Sequence, residues 1–312
     1  MQPIPAVHHP DYTFPLPARH PFPMEKFRLL RQHLDALGDS LEWHQPTPIS
    51  LAALKQVHDA DYIEALVKGQ LDERAQRRSG FPWSEALVRR VRLETGGTLL
   101  GARLALTDGL ALNAAGGTHH AHADFASGYC LINDLAVVAM ELLRRGEVER
   151  LLIIDLDVHQ GDGTARLLAN EPRAFTFSMH AGRNFPAQKA SSDEDIALES
   201  ATADDAYLAV LQQAIPRLIQ SVRPGLVIYD AGADVHKADR LGHLALTDTG
   251  LRARDAAVIE TVRGAGLPLL AVIGGGYDRD TPALVARHAM VFEEAVRARE
   301  RTPYNEDHEP GA

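Results

Sequence analysis

Polar and apolar positions change rhythm about a third of the way along the chain. Before Leu110 the rhythm is helical. Phe27, Leu30, Leu34 and Leu37 recur at helical spacing, which predicts a helix over residues 24–37 with Gly38 as its C-cap. Ser50 opens a second helical stretch that carries Val57, Tyr62 and Leu66 and stops near Gly69. Ser84 can N-cap a long helix through Leu106, in which Gly96 and Gly97 are small enough to let another element approach closely. Residues 1–23, rich in proline and histidine, predict an irregular wrap with room for one short strand. Residues 72–80, charged and arginine-rich, and Phe81-Pro82-Trp83 after them predict a solvated loop with an aromatic anchor.

From Leu110 onward, short apolar runs alternate with helical patterns. The runs are 110–112, 151–154, 175–177, 226–229 and 267–273; the helices are expected over 133–145, 163–170, 202–222, 249–263 and 282–299. Uninterrupted apolar strands separated by helices of this length predict an α/β fold, a mostly parallel sheet covered on both faces. In such open sheets the ligand site lies beyond the carboxyl ends of the strands. No internal repeat or Gly/Ser-rich linker marks a boundary, so one domain over 1–312 is expected, with 301–312 as a flexible tail.

Each unusual polar cluster sits at such a carboxyl end. The stretch from Leu151 runs Leu-Leu-Ile-Ile-Asp155-Leu-Asp157-Val-His159-Gln-Gly-Asp162. If the strand persists, Asp155, Asp157 and His159 project into one pocket while Leu156 and Val158 pack behind. Two neighbouring buried carboxylates are costly without a cation, and a divalent metal removes that cost. The plainer reading is a strand end whose acids cap the next helix. The other strand ends carry His119-His120-Ala-His122 with Ser127-Gly128-Tyr129-Cys130, Asp230-Ala-Gly-Ala-Asp234, and Gly274-Gly275-Gly276-Tyr277. Singly these are weak signals: His8-His9 repeats the dipeptide in a segment read as irregular, and Asp234 could be a helix cap. Carboxylates, imidazoles and a phenol from four strand ends are a stronger one.

With 45% apolar and 24% charged residues over 312, the chain can bury a large core. Its formal charge of -10 argues against nucleic acid or an anionic membrane as partner, since both need a concentrated basic surface. Cys130 is the one cysteine and reads as a small buried residue; with a start that lacks a basic, apolar leader it suggests a reducing, cytoplasmic location.

The set His119-His120, Gly128-Tyr129-Cys130, Asp155-x-Asp157-x-His159, Asp234 and Gly274-Gly275-Gly276-Tyr277, in this order, resembles the zinc-dependent histone deacetylase family. The resemblance runs from His9-Pro10-Asp11-Tyr12 to the last helix, and is closest to compact bacterial members akin to class IV through His159-Gln160-Gly161 and the short segment from Gly80 to Trp83. It implies the arginase/deacetylase fold, a parallel sheet of about eight strands. It implies one zinc, held by Asp157, His159 and Asp234 with a fourth position open for water or substrate. His120 is then the general base and acid, and His119 its electrostatic partner; Asp155 orients His119, Asp162 orients His120, and Tyr277 donates to the substrate carbonyl.

The same resemblance implies a tunnel for an acyl-lysine chain walled by Tyr129 and Phe185, with Gly128 accepting from the amide and Gly275 and Gly276 allowing close approach. Asp155, Ser178 and Met179, with backbone oxygens of Asp157 and His159, match an inner potassium site. Three other readings stay open. An arginase-type ureohydrolase needs a second metal, but position 161 is Gly and Asp230 stands four before Asp234. A deacetylase of acetylpolyamines or other small acylated amines can carry an acidic gatekeeper seven residues past the last zinc ligand, where this chain has Leu241. A non-catalytic acyl-lysine binding module would lack a group such as His120 or Tyr277, and both are present.

Overall fold

The computed structural model describes residues 2–301. Eight strands form one sheet: β1 (Ile4–Val7), β2 (Leu41–His44), β3 (Leu110–Asn113), β4 (Leu151–Asp155), β5 (Ala174–Ala181), β6 (Glu194–Leu198), β7 (Leu226–Asp230) and β8 (Leu269–Val272). Their order is β2-β1-β3-β8-β7-β4-β5-β6, and every pairing is parallel. Strands β3, β4, β7 and β8 are buried along their whole length, which is why their sequences are continuous apolar runs. These four are also consecutive neighbours. Their carboxyl ends, Asn113, Val272, Asp230 and Asp155, therefore lie side by side on one edge, and the loops that follow are brought together.

The helices are α1 (Lys26–His33), α2 (Leu51–Leu54), α3 (Ala60–Lys68), α4 (Glu73–Ser79), α5 (Glu85–Asp108), α6 (Asp134–Arg145), α7 (Asp162–Leu168), α8 (Asp204–Val222), α9 (Asp248–Gly264) and α10 (Thr281–Arg301). Helices α5, α6 and α7 pack in series, and so do α8, α9, α10 and α1. Ser84 caps α5 by accepting from Leu87 N, and a Cβ at Gly96 or Gly97 would run into the Thr47 carbonyl or the Tyr12 hydroxyl. Both features match the reading of that helix.

Several expectations need correction. The one short strand for which the N-terminal segment had room is β1, and it lies inside the sheet, paired on both sides, rather than on the outside as part of a wrap. Strands β2 and β6 were not expected: both are edge strands, and exposed polar residues interrupt their apolar pattern. Residues 73–79 are a helix, N-capped by Asp72 and ended by Gly80 in the left-handed conformation. The stretch after Ser50 is two helices, because Asp59 caps a fresh start at α3. Helix α1 gives way to a 3-10 turn, Leu34–Ser40, with Gly38 at positive φ inside it. The tail expected over 301–312 lies outside the described residues apart from Arg301, which ends α10.

Candidate metal centre and active site

The ladder of β4 ends at Asp155, so the strand does not persist to His159. Beyond it the backbone is held by two successive side-chain turns: Asp157 N donates to Asp155 Oδ1 at 3.1 Å, and His159 N donates to Asp157 Oδ1 at 2.9 Å. The three side chains consequently part company. Asp155 joins His119 and Asp230, whereas Asp157 and His159 join Asp234. Leu156 and Val158 are buried, as expected.

In the second group, His159 Nδ1 lies 2.9 Å from Asp157 Oδ1 and 3.3 Å from Asp234 Oδ2. The carboxylates are aimed from behind: Val158 N donates to Asp234 Oδ1 at 2.9 Å and Gly275 N to Asp157 Oδ2 at 2.8 Å. Asp234 Oδ2 is buried, and its one polar neighbour on this side is the His159 ring at 3.3 Å, a contact without hydrogen-bond geometry. Burial, then the charge of Asp157, pushes the Asp234 carboxyl up to about 7. Burial opposes the charge of His159, yet its contacts with the Asp157 and Asp234 carboxylates lift it to about 10. Two acids sharing a dry pocket, with one oxygen left over, are a donor set that a divalent cation would complete. Two oxygens and one nitrogen with no thiolate fit zinc with an open position.

The tandem histidines follow a turn in which Gly116 and Gly117 both adopt positive φ, at 93° and 83°. Asp134 at the start of α6 fixes that turn by accepting from Gly117 N and Thr118 N, and Asn133 Nδ2 donates to the carbonyls of His119 and Ala121. His119 Nδ1 then meets Asp155 Oδ2 at 2.7 Å, and His120 Nδ1 meets Asp162 Oδ1 at 2.7 Å. Their rings are only 4.1 Å apart but differ in charge preference. For His119, burial is outweighed by Asp155 and Asp157, which raise it well above the ordinary histidine range. For His120, burial and then repulsion from His119 lower it to about 3. The two environments thus favour opposite states, the cationic ring for His119 and the neutral ring for His120.

Tyr277 is half-buried, its ring 6.4 Å from that of His159 and 5.8 Å from that of Tyr129. Its loop is pinned by Asp239 Oδ2, which accepts from Tyr277 N at 2.6 Å, and by Arg240 Nε, which donates to Tyr277 O at 2.6 Å. Gly128 abuts the His120 ring, Phe185 meets that ring edge-on at 4.8 Å, and Asn184 Nδ2 donates to the Leu241 carbonyl at 2.9 Å. Gly275 and Gly276 leave no room for a Cβ, the first against the Asp157 and Asp234 carboxylates, the second against His288 and Leu284. A narrow cavity of about 30 Å³ reaches inward past His119, Tyr129 and Tyr277 to Lys26 and Glu94, with room for a water molecule. A shallow groove of about 440 Å³ lies outside, over α4 and Phe81.

Asp155 and Ser178 face each other in register, but Ser178 Oγ is bonded to His180 Nδ1, and the Asp155 oxygens serve His119 and Asp157 N. Met179 is buried beside them. Sequence reasoning gave no role to five participants. Asp230, paired in register with Asp155, is buried with both oxygens unpartnered. Lys26 donates at 3.4 Å to the Gly276 carbonyl and at 3.5 Å to that of Gly274. Asp239 and Arg240 hold the Tyr277 loop, and His122 shares Asp162. Asp230 and His122 had a visible signal, each standing in a polar cluster at a strand end, whereas Lys26, Asp239 and Arg240 had none.

The family described as histone deacetylase domain matches residues 20–292. The chain belongs to the histone deacetylase family. It is 30% identical over 302 residues to histone deacetylase 1 of Homo sapiens, covering 89% of this chain and 60% of that protein. Over 278 residues it is 29% identical to histone deacetylase 2 of Arabidopsis thaliana, covering 86% of this chain and 72% of the relative. A Picosynechococcus protein, itself uncharacterized, is 48% identical over 294 residues, covering 94% of this chain and 98% of its own length. Among solved structures, the HDA15 HD domain superposes with a TM-score of 0.77 at 21% identity, covering 94% of this chain and 89% of that one, and shows the shared arginase/deacetylase fold. Membership of the histone deacetylase family makes the coarse reading a hydrolytic deacetylase.

Proposed function

We propose that this protein is a zinc-dependent amide hydrolase that removes acetyl or other acyl groups from lysine side chains of proteins or peptides. The observation that carries this reading is the imidazole of His120, anchored on Asp162 at 2.7 Å with its ring 5.7 Å from that of His159 in the metal-fitting cluster. When bound by Asp157, His159 and Asp234, zinc would polarise the acyl carbonyl and acidify a water. His120, unprotonated at Nε2, takes a proton from the attacking water and returns one to the departing amine. His119, kept cationic by Asp155, stabilises negative charge beside it. The Tyr277 hydroxyl donates to the oxygen of the carbonyl under attack. Burial and the charge of Asp157 hold its proton on, so it stays a donor at neutral pH. Where the end of β4 pairs with β5, Asp155, Ser178 and Met179, with backbone oxygens of Asp157 and His159, would be the residues to hold a potassium ion.

Phe185 and Leu241, 42% and 38% exposed, are the large exposed hydrophobics among the described residues. An apolar pair at the entrance favours an acyl-lysine peptide over a polycation. Side-by-side kcat/KM for an acetyl-lysine peptide and acetylspermidine tests the choice: a clear peptide advantage is expected, and a large polyamine advantage would reverse it.

A further inference from the structure

Asp162 opens α7, and its two oxygens serve two different histidines. Oδ1 lies 2.7 Å from His120 Nδ1 and Oδ2 lies 2.9 Å from His122 Nε2. His122 is buried and fixed by its own surroundings. Its ring stacks on Phe125 at 4.2 Å, and the Arg78 guanidinium lies over Phe125 at 4.5 Å. Its N–H donates to the Phe125 carbonyl at 3.0 Å, and its carbonyl accepts from His58 Nδ1 at 2.8 Å.

A carboxylate held at one oxygen can turn about its terminal torsion, which is broad, and the imidazole it orients turns with it. Held at both oxygens, its plane is set. An ionised carboxylate only accepts, so both histidines must donate to Asp162, His120 from Nδ1 and His122 from Nε2. That leaves His120 Nε2 free to receive a proton. We propose that His122 is a positioning residue for His120, acting through the carboxylate they share. The inference rests on the hydrolase reading, in which His120 moves the protons.

Two variants separate this role from simple packing. His122→Phe keeps a ring against Phe125 but removes the donor, and His122→Gln returns a donor near the place of Nε2. On an acetyl-lysine peptide, His122→Phe should lose about 10- to 100-fold in kcat with zinc content unchanged, as expected when an orienting partner is removed. KM should stay within about twofold, and His122→Gln should recover most of kcat. Equal losses in both variants, tracking a lowered Tm, would mean that the residue only packs. A second readout needs no turnover: long-range proton–nitrogen spectra of histidine-labelled protein should show a single Nδ1–H tautomer for His120 in the wild type and a mixture in His122→Phe. Unchanged kcat in folded His122→Phe, or an unchanged tautomer, overturns the proposal. If the tautomer shifts but the wild type hydrolyses no acyl-lysine, the hydrolase reading fails and the positioning role stands.

Discussion

Arg254, on α9, donates a hydrogen bond from Nη1 to the backbone carbonyl of Gly232 at 2.6 Å. The same guanidinium reaches the carbonyls of Leu156 and Ala231, both at 3.4 Å, and is paired with Asp255. Leu156 precedes Asp157, and Gly232 stands two residues before Asp234. One fully buried cation thus ties together the two loops that carry the candidate metal ligands.

Arg254→Lys keeps the charge opposite Asp255 but loses the planar fork that spans three carbonyls. Zinc affinity, measured by chelator competition, should fall about 10- to 100-fold, as for loss of an orienting partner. Arg254→Met should in addition lose about 3–5 kcal/mol of stability, since Asp255 is then buried without a counter-charge. Unchanged zinc affinity in a folded Arg254→Lys protein would show that the loops hold themselves.

Asp230 presents the opposite situation, a buried acid with neither oxygen bonded. Burial, and then the charge of Asp155, holds its proton on well above the ordinary carboxylate range. Unfolded, it ionises near pH ~4. Above that pH the unfolded chain releases a proton that the folded chain keeps, so stability declines as pH rises. Asp230→Asn carries no such penalty. Denaturant melts should find the variant more stable at pH 8, by about 1–3 kcal/mol, with the gain vanishing toward pH 4. A pH-independent difference would contradict this account.

His58 predicts the reverse slope. Its Nδ1 bonds the His122 carbonyl at 2.8 Å and its Nε2 accepts from Asn133 N at 3.0 Å, an arrangement open only to the neutral ring. Burial lowers its pKa to about 4 against the His122 carbonyl bond that would raise it. Between pH ~6.5 and this value the unfolded chain takes up a proton that the folded chain refuses. Acidification across that window should cost about 3 kcal/mol from this residue alone. A His58→Gln protein, titrated in parallel, should show a correspondingly shallower acid limb; superimposable limbs would exclude His58 as the source.

Tyr277→Phe removes one hydroxyl from a loop that Asp239 and Arg240 fix through the backbone, so the ring should stay in place. Loss of a single donor to a developing oxyanion typically costs about 10²–10³ in kcat. That loss is expected here with metal content and KM little changed, and full activity would refute the assigned role.

The central strands were legible because both their faces are buried, and their carboxyl ends carried the motifs that the order β3-β8-β7-β4 brings together. What was not legible depends on geometry between loops. The turn at Asp155 through His159 divides an alternating run of ligands between two clusters, an outcome that spacing alone does not encode. His122 and Asp239 act through a shared carboxylate and a backbone contact, for which no local pattern exists. Residues 73–79 looked like a solvated loop because a short exposed helix has almost no apolar face to announce it.

The most direct test of the central claim is to measure zinc per chain and acetyl-lysine hydrolysis in the same preparations of wild type and Asp157→Ala, stripped by chelation and then restored with zinc. The account predicts one zinc and recovered turnover in the wild type, and neither in Asp157→Ala. Two manganese ions per active wild-type chain, or undiminished turnover in the stripped protein or in Asp157→Ala, would contradict it.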